Sequence, residues 1–414
     1  MKMRHPVSVA VCLVSALLFA GHASAQFVQQ GPKLVGTGAA GSPEQGYAVA
    51  LSADGNTAVV GGATDSSNTG ATWIWIRSSG VWSQQAKLVG AGAVGPALQG
   101  TAVAISADGN TVIIGGPMDN SSAGAAWIWT RSGSVWTQQG NKLVGLNGGP
   151  LTNQGASVAL SADGNTALVG GPGGDSVGAV WVWVRSGGVW SQQGNKLVGT
   201  GTQGVGLQGS SIALSADGNT ALVGSQLDNQ SVGAVWVWTR SGSTWTQQGN
   251  KLVGFGAIGG SQQGSSVSLS ADGNMALIGG RNDNGGVGAA WVWSRSGGVW
   301  TQDHKLTGSG AIGTSLQGAS VCLAGDGYTA IIGGRGDTSD AGAAWIWTRS
   351  GDVWSAQPKL VGTGAAGSSQ QGASVALSAD GKTALVGGPF DNSRAGAAWI
   401  FSSPALPRRR AVKP

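Results

Sequence analysis

Residues 155–172 read Gly-Ala-Ser-Val-Ala-Leu-Ser-Ala-Asp-Gly-Asn-Thr-Ala-Leu-Val-Gly-Gly-Pro, and residues 178–199 read Gly-Ala-Val-Trp-Val-Trp-Val-Arg-Ser-Gly-Gly-Val-Trp-Ser-Gln-Gln-Gly-Asn-Lys-Leu-Val-Gly. Four apolar runs rich in β-branched and aromatic residues alternate with clusters of Gly, Asp, Asn and Ser, a pattern typical of strands and turns. Asp163-Gly164 indicates a tight hairpin, because glycine adopts positive φ without steric cost. This stretch predicts one four-stranded antiparallel sheet.

The same pattern recurs along the whole chain. The hairpin aspartate occurs seven times, at intervals of 54 or 55 residues: Asp54, Asp108, Asp163, Asp217, Asp272, Asp326 and Asp380. One such sheet cannot bury both of its faces alone, so the copies must stack, either as an open solenoid or as a closed ring.

The two ends of the repeat array distinguish these alternatives. The last unit stops after its third strand at Phe401, whereas Phe27 to Gly36 match the fourth strand of a unit, such as Trp136 to Gly145. A strand from the beginning can therefore complete the last sheet and leave no unpaired edge. We predict an all-β fold over residues 26–403. It is a seven-bladed β-propeller of four-stranded antiparallel blades, closed by the N-terminal strand, and we expect a monomer.

The segments that flank the repeats differ from them in composition. Residues 1–25 combine Lys2 and Arg4 with an apolar run and the small residues Ala23-Ser24-Ala25, which is typical of a cleaved secretory signal peptide. Residues 404–414 are basic, and we expect a disordered tail there. No other stretch is long and apolar enough to span a bilayer. The sequence thus predicts a secreted or periplasmic protein without a membrane span.

The formal charge of +5 is carried by the two ends of the chain. Without Lys2 and Arg4 the charge is +3, and without the four basic residues of 404–414 as well it is −1. A nucleic-acid-binding domain carries a basic face on its folded part. We therefore expect no nucleic-acid partner.

Side chains that commonly carry out catalysis are scarce. Beyond the signal peptide the chain has one histidine, His304, and one glutamate, Glu44. Most aspartates recur at the same two places in every unit, which points to a structural role. No nucleophile with a matching base and no paired-carboxylate site emerges, so we predict that the protein is not an enzyme and that His304 is a satisfied surface residue.

Tryptophan is abundant, with 19 residues in the chain. The third strand of six units carries Trp-x-Trp, as at Trp181 and Trp183, and residues two apart in a strand share one face. Two roles are open. The indoles can fill the space between neighbouring blades, or they can stack on sugars in a multivalent lectin with one aromatic pocket per blade.

The repeat resembles the FG-GAP repeats of secreted bacterial proteins, which are related to the propeller of integrin α chains. The resemblance rests on Gly-x-Ser-Val-Ala-Leu-Ser-x-Asp-Gly, Leu-Val-Gly-Gly-Pro and Gly-Ala-x-Trp-Val-Trp, and it covers all seven units. Two positions depart from it: Phe-Gly is Gln-Gly here, as at Gln154-Gly155, and Gly-Ala-Pro is Gly-Gly-Pro, as at Gly115-Gly116-Pro117. The resemblance implies a propeller and extracellular interaction, but no particular ligand.

The resemblance also raises the question of calcium, which integrin-like propellers bind in loops with several acidic residues. Each loop between the second and third strands carries an aspartate at the same position: Asp65, Asp119, Asp175, Asp228, Asp283, Asp337 and Asp391. An aspartate in a loop can also cap the turn by bonding its own backbone. Calcium needs 6–8 oxygen ligands, and only the loop with Asp337 and Asp340 offers two carboxylates. These two residues form the candidate metal site, and we predict no other cofactor.

The two ends of each blade differ in variability. The turns after the first and third strands lie at one end and are nearly uniform, whereas the loops after the second and fourth strands lie at the other and vary. Binding residues concentrate on loops held by a rigid scaffold. We predict a non-catalytic binding or scaffold module whose variable-loop face meets a protein or glycan partner, and the alternative is a lectin that uses the blade tryptophans. The candidate ligand-binding residues are the blade-specific charges Glu44, Arg281, Arg335, Asp340 and Arg394.

Overall fold

Each repeat unit folds into one four-stranded antiparallel sheet, and the seven sheets form the blades of a β-propeller. The computed structural model describes residues 26–174 and 177–403. The predicted signal peptide, the predicted basic tail and the loop residue Asp175 lie outside these residues. The predicted fold is confirmed, including the blade shared between the beginning and the end of the propeller.

The strands follow the repeat closely. The N-terminal strand is β1 (Val28–Gln29), and the strands of blades one to three are β2 (Ala48–Leu51), β3 (Thr57–Gly62), β4 (Ala71–Ser78), β5 (Val81–Leu88), β6 (Ala102–Ile105), β7 (Thr111–Gly116), β8 (Ala125–Ser132), β9 (Val135–Gln138), β10 (Ser157–Leu160), β11 (Thr166–Gly171), β12 (Ala179–Ser186) and β13 (Val189–Gln192). Those of blades four to seven are β14 (Ser211–Leu214), β15 (Thr220–Ser225), β16 (Ala234–Ser241), β17 (Thr244–Gln247), β18 (Gln263–Leu269), β19 (Met275–Gly280), β20 (Ala289–Ser296), β21 (Val299–Leu306), β22 (Ser320–Leu323), β23 (Thr329–Gly334), β24 (Ala343–Ser350), β25 (Val353–Ala356), β26 (Ser374–Leu377), β27 (Thr383–Gly388) and β28 (Ala397–Ser402).

Short helical turns connect the second and third strands in the six blades where this loop is fully described. They are α1 (Asp65–Asn68), α2 (Asp119–Ser122), α3 (Asp228–Ser231), α4 (Asp283–Gly286), α5 (Asp337–Asp340) and α6 (Asp391–Arg394). Two central residues of each turn have positive φ, such as Asn229 at 49° and Gln230 at 55°. Within residues 26–174 and 177–403, no helical segment has the length and apolarity needed to cross a membrane.

Blade seven is closed by the N-terminal segment. Strand β1 pairs antiparallel with β28, in the order β1-β28-β27-β26. Further along the segment, the backbones of Leu34 and Ala398 exchange two hydrogen bonds of 2.7 and 3.1 Å. The side chains of Phe27 and Leu34 are buried in the core. Backbone hydrogen bonds and apolar side-chain contacts therefore both stabilise the closed ring.

A closed circuit of backbone hydrogen bonds also joins the blades, at the turn after each first strand. In each of the seven turns, one backbone N–H donates to the carbonyl of the corresponding residue in the next blade, at 2.8–3.1 Å. The participants are, in order, Ala53, Ala107, Ala162, Ala216, Ala271, Gly325 and Ala379, and the N–H of Ala379 donates to Ala53. The circuit thus returns to its starting residue.

The first tryptophan of the third strand in each blade lies in the core between blades. Trp181 has no exposed surface, and its indole N–H donates to the carbonyl of Leu146 at 2.8 Å. A Cβ atom added to Gly145 would lie 2.1 Å from Cδ1 of this indole, so the position accommodates only glycine. The packing role is confirmed for this set of indoles, which is completed by Trp73, Trp127, Trp236, Trp291, Trp345 and Trp399.

The repeat has Gln-Gly where the FG-GAP pattern has Phe-Gly, and this glutamine has a structural role. Gln154 is buried, its Oε1 accepts the N–H of Gly145 at 2.5 Å, and its Nε2 donates to the Gly145 carbonyl at 3.1 Å. The carboxamide thus satisfies both backbone groups of a buried glycine, as a neighbouring strand would. The same bonds recur at Gln45, Gln99, Gln208, Gln263, Gln317 and Gln371.

Candidate functional site

The propeller has two faces with different chemistry. The crossover face carries the loops from fourth strands to the next first strands together with the turns α1–α6, and the hairpin face carries the turns after first and third strands. The sequence-predicted ligand residues Glu44, Arg281, Arg335, Asp340 and Arg394 all lie in segments of the crossover face. The structure divides them into groups with different partners.

The loop aspartates of the crossover face are structural residues. Asp228 is fully buried, its Oδ1 accepts the N–H of Gln203 at 2.8 Å, and its Oδ2 pairs with Nζ of Lys251 at 2.5 Å. These bonds go to the crossover and to the segment that follows the fourth strand, so they differ from the predicted capping of the turn's own backbone. The arrangement recurs at every fully described loop: Asp65 with Lys87, Asp119 with Lys142, Asp283 with Lys305, Asp337 with Lys359, and Asp391 with Lys33. The Lys-Leu dipeptide, which recurs in every unit, is the sequence feature that could have indicated this lysine partner.

The candidate calcium residues have unequal surroundings. Asp337 accepts the N–H of Ile312 at 2.8 Å on Oδ1, and its Oδ2 accepts from Thr338 at 2.9 Å and pairs with Lys359 at 2.7 Å. Asp340 is exposed to solvent. The described residues include no group of three or more His, Cys, Asp and Glu side chains that could hold a metal ion. A cation bound by Asp337 would have to displace Lys359.

Glu44 and Arg394 pair with each other across the closure of the ring. Nε of Arg394 donates to Oε1 of Glu44 at 2.7 Å, and Nη2 donates to the same oxygen. Glu44 is buried, whereas Arg394 is exposed. This pair links the last turn of blade seven to the entry of blade one, so both charges already have a partner inside the fold.

Arg281 and Arg335 occupy the same position in neighbouring blades, immediately after β19 and β23. Both side chains are half-buried, and Nε of Arg281 donates to Oε1 of Gln262 at 2.9 Å. Burial, and then the positive charge of Arg335, lower the pKa of Arg281. Within the described part of the chain, no carboxylate forms a salt bridge with either guanidinium. Neighbouring blades therefore each carry an arginine at this position, and neither arginine has a carboxylate partner among the described residues.

The hairpin face is held by contacts between blades. The indole N–H of Trp190 and Nη1 of Arg185 both donate to Oε1 of Gln139 in the preceding blade, at 2.9 and 3.2 Å. The Arg185 guanidinium lies over the Trp190 ring, 5.5 Å from its centroid. Similar contacts link blades one to five and the N-terminal strand: Gln30 with Trp82, Gln85 with Trp136, Gln193 with Trp245, and Gln248 with Trp300.

The junction between blades five and six lacks this contact. Asp303 takes the place of the glutamine, and its Oδ1 accepts from Oγ of Ser294 at 2.8 Å. In the part of the chain that the structure describes, neither Nε1 of Trp354 nor Nδ1 of His304 has a hydrogen-bond partner. The prediction that His304 is a satisfied surface residue is therefore wrong, because this side chain is half-buried in β21.

Comparison with models of known protein families finds none that matches the chain, and a search of the curated proteins finds no match either.

Proposed function

We propose that the protein is an exported, non-catalytic binding module of the FG-GAP type, whose crossover face recognises an anionic group on a protein or glycan partner. The observation that carries this proposal is the placement of Arg281 and Arg335 at the same position of neighbouring blades, where neither has a carboxylate partner among the described residues.

The chemistry of arginine supports an oxyanion as the recognised group. A guanidinium presents its N–H donors in a planar fork that matches carboxylate, sulfate or phosphate. Two like charges held together by a rigid scaffold repel each other, and a bound anion would relieve that repulsion. The other predicted ligand residues are less available, because Arg394 already binds Glu44 and Asp340 carries the opposite sign for this role.

Three further features support the remaining parts of the proposal. The pattern of residues 1–25 is that of a secretory signal. The loop aspartates of the described residues bind lysine and backbone, and five of the seven hairpin aspartates bind serine and asparagine, as Asp163 does with Ser161 and Asn165. Carboxylates committed in this way are poor general acids or bases. The FG-GAP assignment draws on the repeat pattern and the propeller.

The test uses anion titration of the mature chain with sulfate and with acetate. We expect saturable binding and a thermal stabilisation, which at one hundred times Kd corresponds to about 2.7 kcal/mol. The Arg281→Gln, Arg335→Gln double variant should lose this response. Lys382→Gln is the matched control, since it removes a positive charge from an exposed side chain (69%) on the hairpin face.

Two results would overturn the proposal: a wild-type chain that binds neither anion, or a double variant that binds them as well as the wild type does. A difference between sulfate and acetate would indicate which oxyanion the partner carries. The double variant should melt at or above the wild-type temperature in the absence of anions, because the repulsion between the two guanidinium groups is removed.

A further inference from the structure

Three clefts lie at the outer rim of the propeller, each between the fourth strand of one blade and the next blade. We call them the rim clefts, and they have volumes of about 350, 390 and 480 Å³ at the junctions of blades two and three, three and four, and four and five. Pockets of 300–1,000 Å³ are typical of small-molecule sites. The residue types that line the three clefts are nearly the same.

An additional residue in the fourth strand accompanies these clefts. Between the strand tryptophan and the Lys-Leu dipeptide, blades two, three and four carry Gln-Gln-Gly-Asn, where blade one has Gln-Gln-Ala at the corresponding place. Strand β5 accordingly runs unbroken from Val81 to Leu88, with one bulge against β4. Strands β9, β13 and β17 stop before the glycine, and the Gly-Asn segment lines the cleft.

Two indoles from the next blade line each cleft. In the cleft between blades three and four these are Trp238 and Trp245. Trp245 is fixed in place, because its N–H donates to Gln193 at 3.1 Å and Arg240 lies over its ring at 5.3 Å. Trp238 is 9% exposed, and its Nε1 has no acceptor among the described residues. The aromatic surface is therefore preorganised, which lowers the entropic cost of binding a ligand.

The polar groups of the clefts are amides and backbone rather than free charges. Asn141, Asn195 and Asn250 are exposed within the three clefts. The lysine of the cleft between blades four and five, Lys251, pairs with the buried Asp228 at 2.5 Å. This cleft also contains Phe255, which is 77% exposed and adds a third aromatic ring. Planar apolar surface beside neutral hydrogen-bonding groups suits a ligand with an apolar face and peripheral hydroxyls.

We propose that the rim clefts are saccharide-binding sites, one at each of these three consecutive junctions, which bind a glycan multivalently. The sugar ring would stack on an indole, and its hydroxyls would bond the asparagine amide and the Gly-Asn backbone. This site is independent of Arg281 and Arg335 on the crossover face, so either proposal can fail without the other. Because the three sites are held on one rigid scaffold, a branched or repetitive glycan gains avidity from them.

The first test is a glycan array with the full mature chain, followed by calorimetry with the saccharide that binds best. We expect about three equivalents bound. In three separate variants, Gly140-Asn141, Gly194-Asn195 or Gly249-Asn250 is replaced by a single alanine, the arrangement found at Ala86. Each should bind one equivalent fewer, and the variant that combines all three replacements should bind none. A variant with two replacements keeps one site and should lose about 10²- to 10⁴-fold in apparent affinity for a multivalent surface.

The second test adds a cleft where the wild type has a continuous strand. Replacing Ala86 by Gly-Asn should open a site beside Trp129 and Trp136 and raise the number of bound saccharides by one. A strand replacement could fail to fold, so a second variant changes only exposed side chains. It combines Asn141→Ala, Asn195→Ala and Asn250→Ala in one chain, and its melting temperature should equal that of the wild type. This triple variant should also lose saccharide binding.

Several outcomes would overturn the proposal. The array could show no saccharide bound, or the number of bound saccharides could be the same in the wild type and in every cleft variant. Binding of a proline-rich peptide in the clefts, competed by no sugar, would assign them to a different class of ligand. Loss of saccharide binding in Arg281→Gln, Arg335→Gln, with no loss in the cleft variants, would move the glycan to the crossover face.

Discussion

Removal of residues 26–36 should open the propeller at blade seven. The deletion takes away the backbone ladder between β1 and β28 and the buried side chains of Phe27 and Leu34. Loss of a buried phenylalanine costs about 3–5 kcal/mol and that of a leucine about 2–5 kcal/mol. It also leaves the carboxylate of Asp391, which is buried, without the ammonium of Lys33. Since whole domains are stable by only about 5–15 kcal/mol, we expect the truncated chain to be marginally folded or to aggregate.

The assay is thermal unfolding of the truncated chain alone and with a synthetic peptide of residues 26–36. We expect the peptide to restore the melting temperature in a concentration-dependent way, because it binds the folded chain and not the unfolded one. A peptide of the same composition in scrambled order is the control. The reasoning would be refuted by a truncated chain that melts at the temperature of the parent, or by equal rescue from the scrambled peptide.

Two further predictions concern packing and pH. Gly199→Ala should destabilise the protein by about 3 kcal/mol, at the upper end for an overpacked core, because its Cβ would lie 2.2 Å from Cδ1 of Trp236. Gly260→Ala, whose Cβ would make ordinary contacts from 3.4 Å outward, should be neutral or slightly stabilising, and equal melting temperatures for the two variants would contradict this argument. At Asp163, burial raises the carboxyl pKa, but hydrogen bonds from Ser161 and Asn165 outweigh it, so the net pKa is lowered. Its contribution to stability is therefore present above the unfolded pKa of about 4 and is lost as the pH falls through the lower folded value. Between pH 5 and pH 2, the melting temperature of Asp163→Asn should fall less steeply with pH than that of the wild type. Equal slopes of melting temperature against pH would contradict this role of Asp163.

Much of the fold could be predicted because its determinants are local and repeated. The spacing of the hairpin aspartates gives the number of blades, and the match between Phe27 to Gly36 and a fourth strand gives the closure. The burial of Trp181 also followed from strand parity, since the third strand is apolar on both faces. Such features depend on residues that are neighbours in one strand or one turn.

The features that could not be predicted depend on contacts between distant segments. Glu44 and Arg394 are 350 residues apart, and nothing in their sequence surroundings indicates that they meet at the ring closure. The aspartates of the loops were open to a calcium or a capping role because their lysine partners lie in or just after a fourth strand, in a different part of the repeat. The sequence predicted one aromatic pocket per blade as an alternative, but it did not place the rim clefts. They depend on one additional residue after the fourth strand, and the effect of that residue appears only when the next blade is in place.

The circuit of backbone bonds from Ala53 to Ala379 bears on how the number of blades can change. All seven N–H groups donate in the same rotational sense, so the chain of dipoles has no first donor and no last acceptor, unlike a helix. Polarisation can then be shared among all members, which strengthens each bond. A tandem duplication of one unit would break one bond of the circuit, loss of one unit would remove two, and either change would alter the angle between every pair of blades. We infer that such changes in this gene are tolerated only when the whole ring reorganises, whereas changes in the loops and in the fourth strands leave the circuit intact.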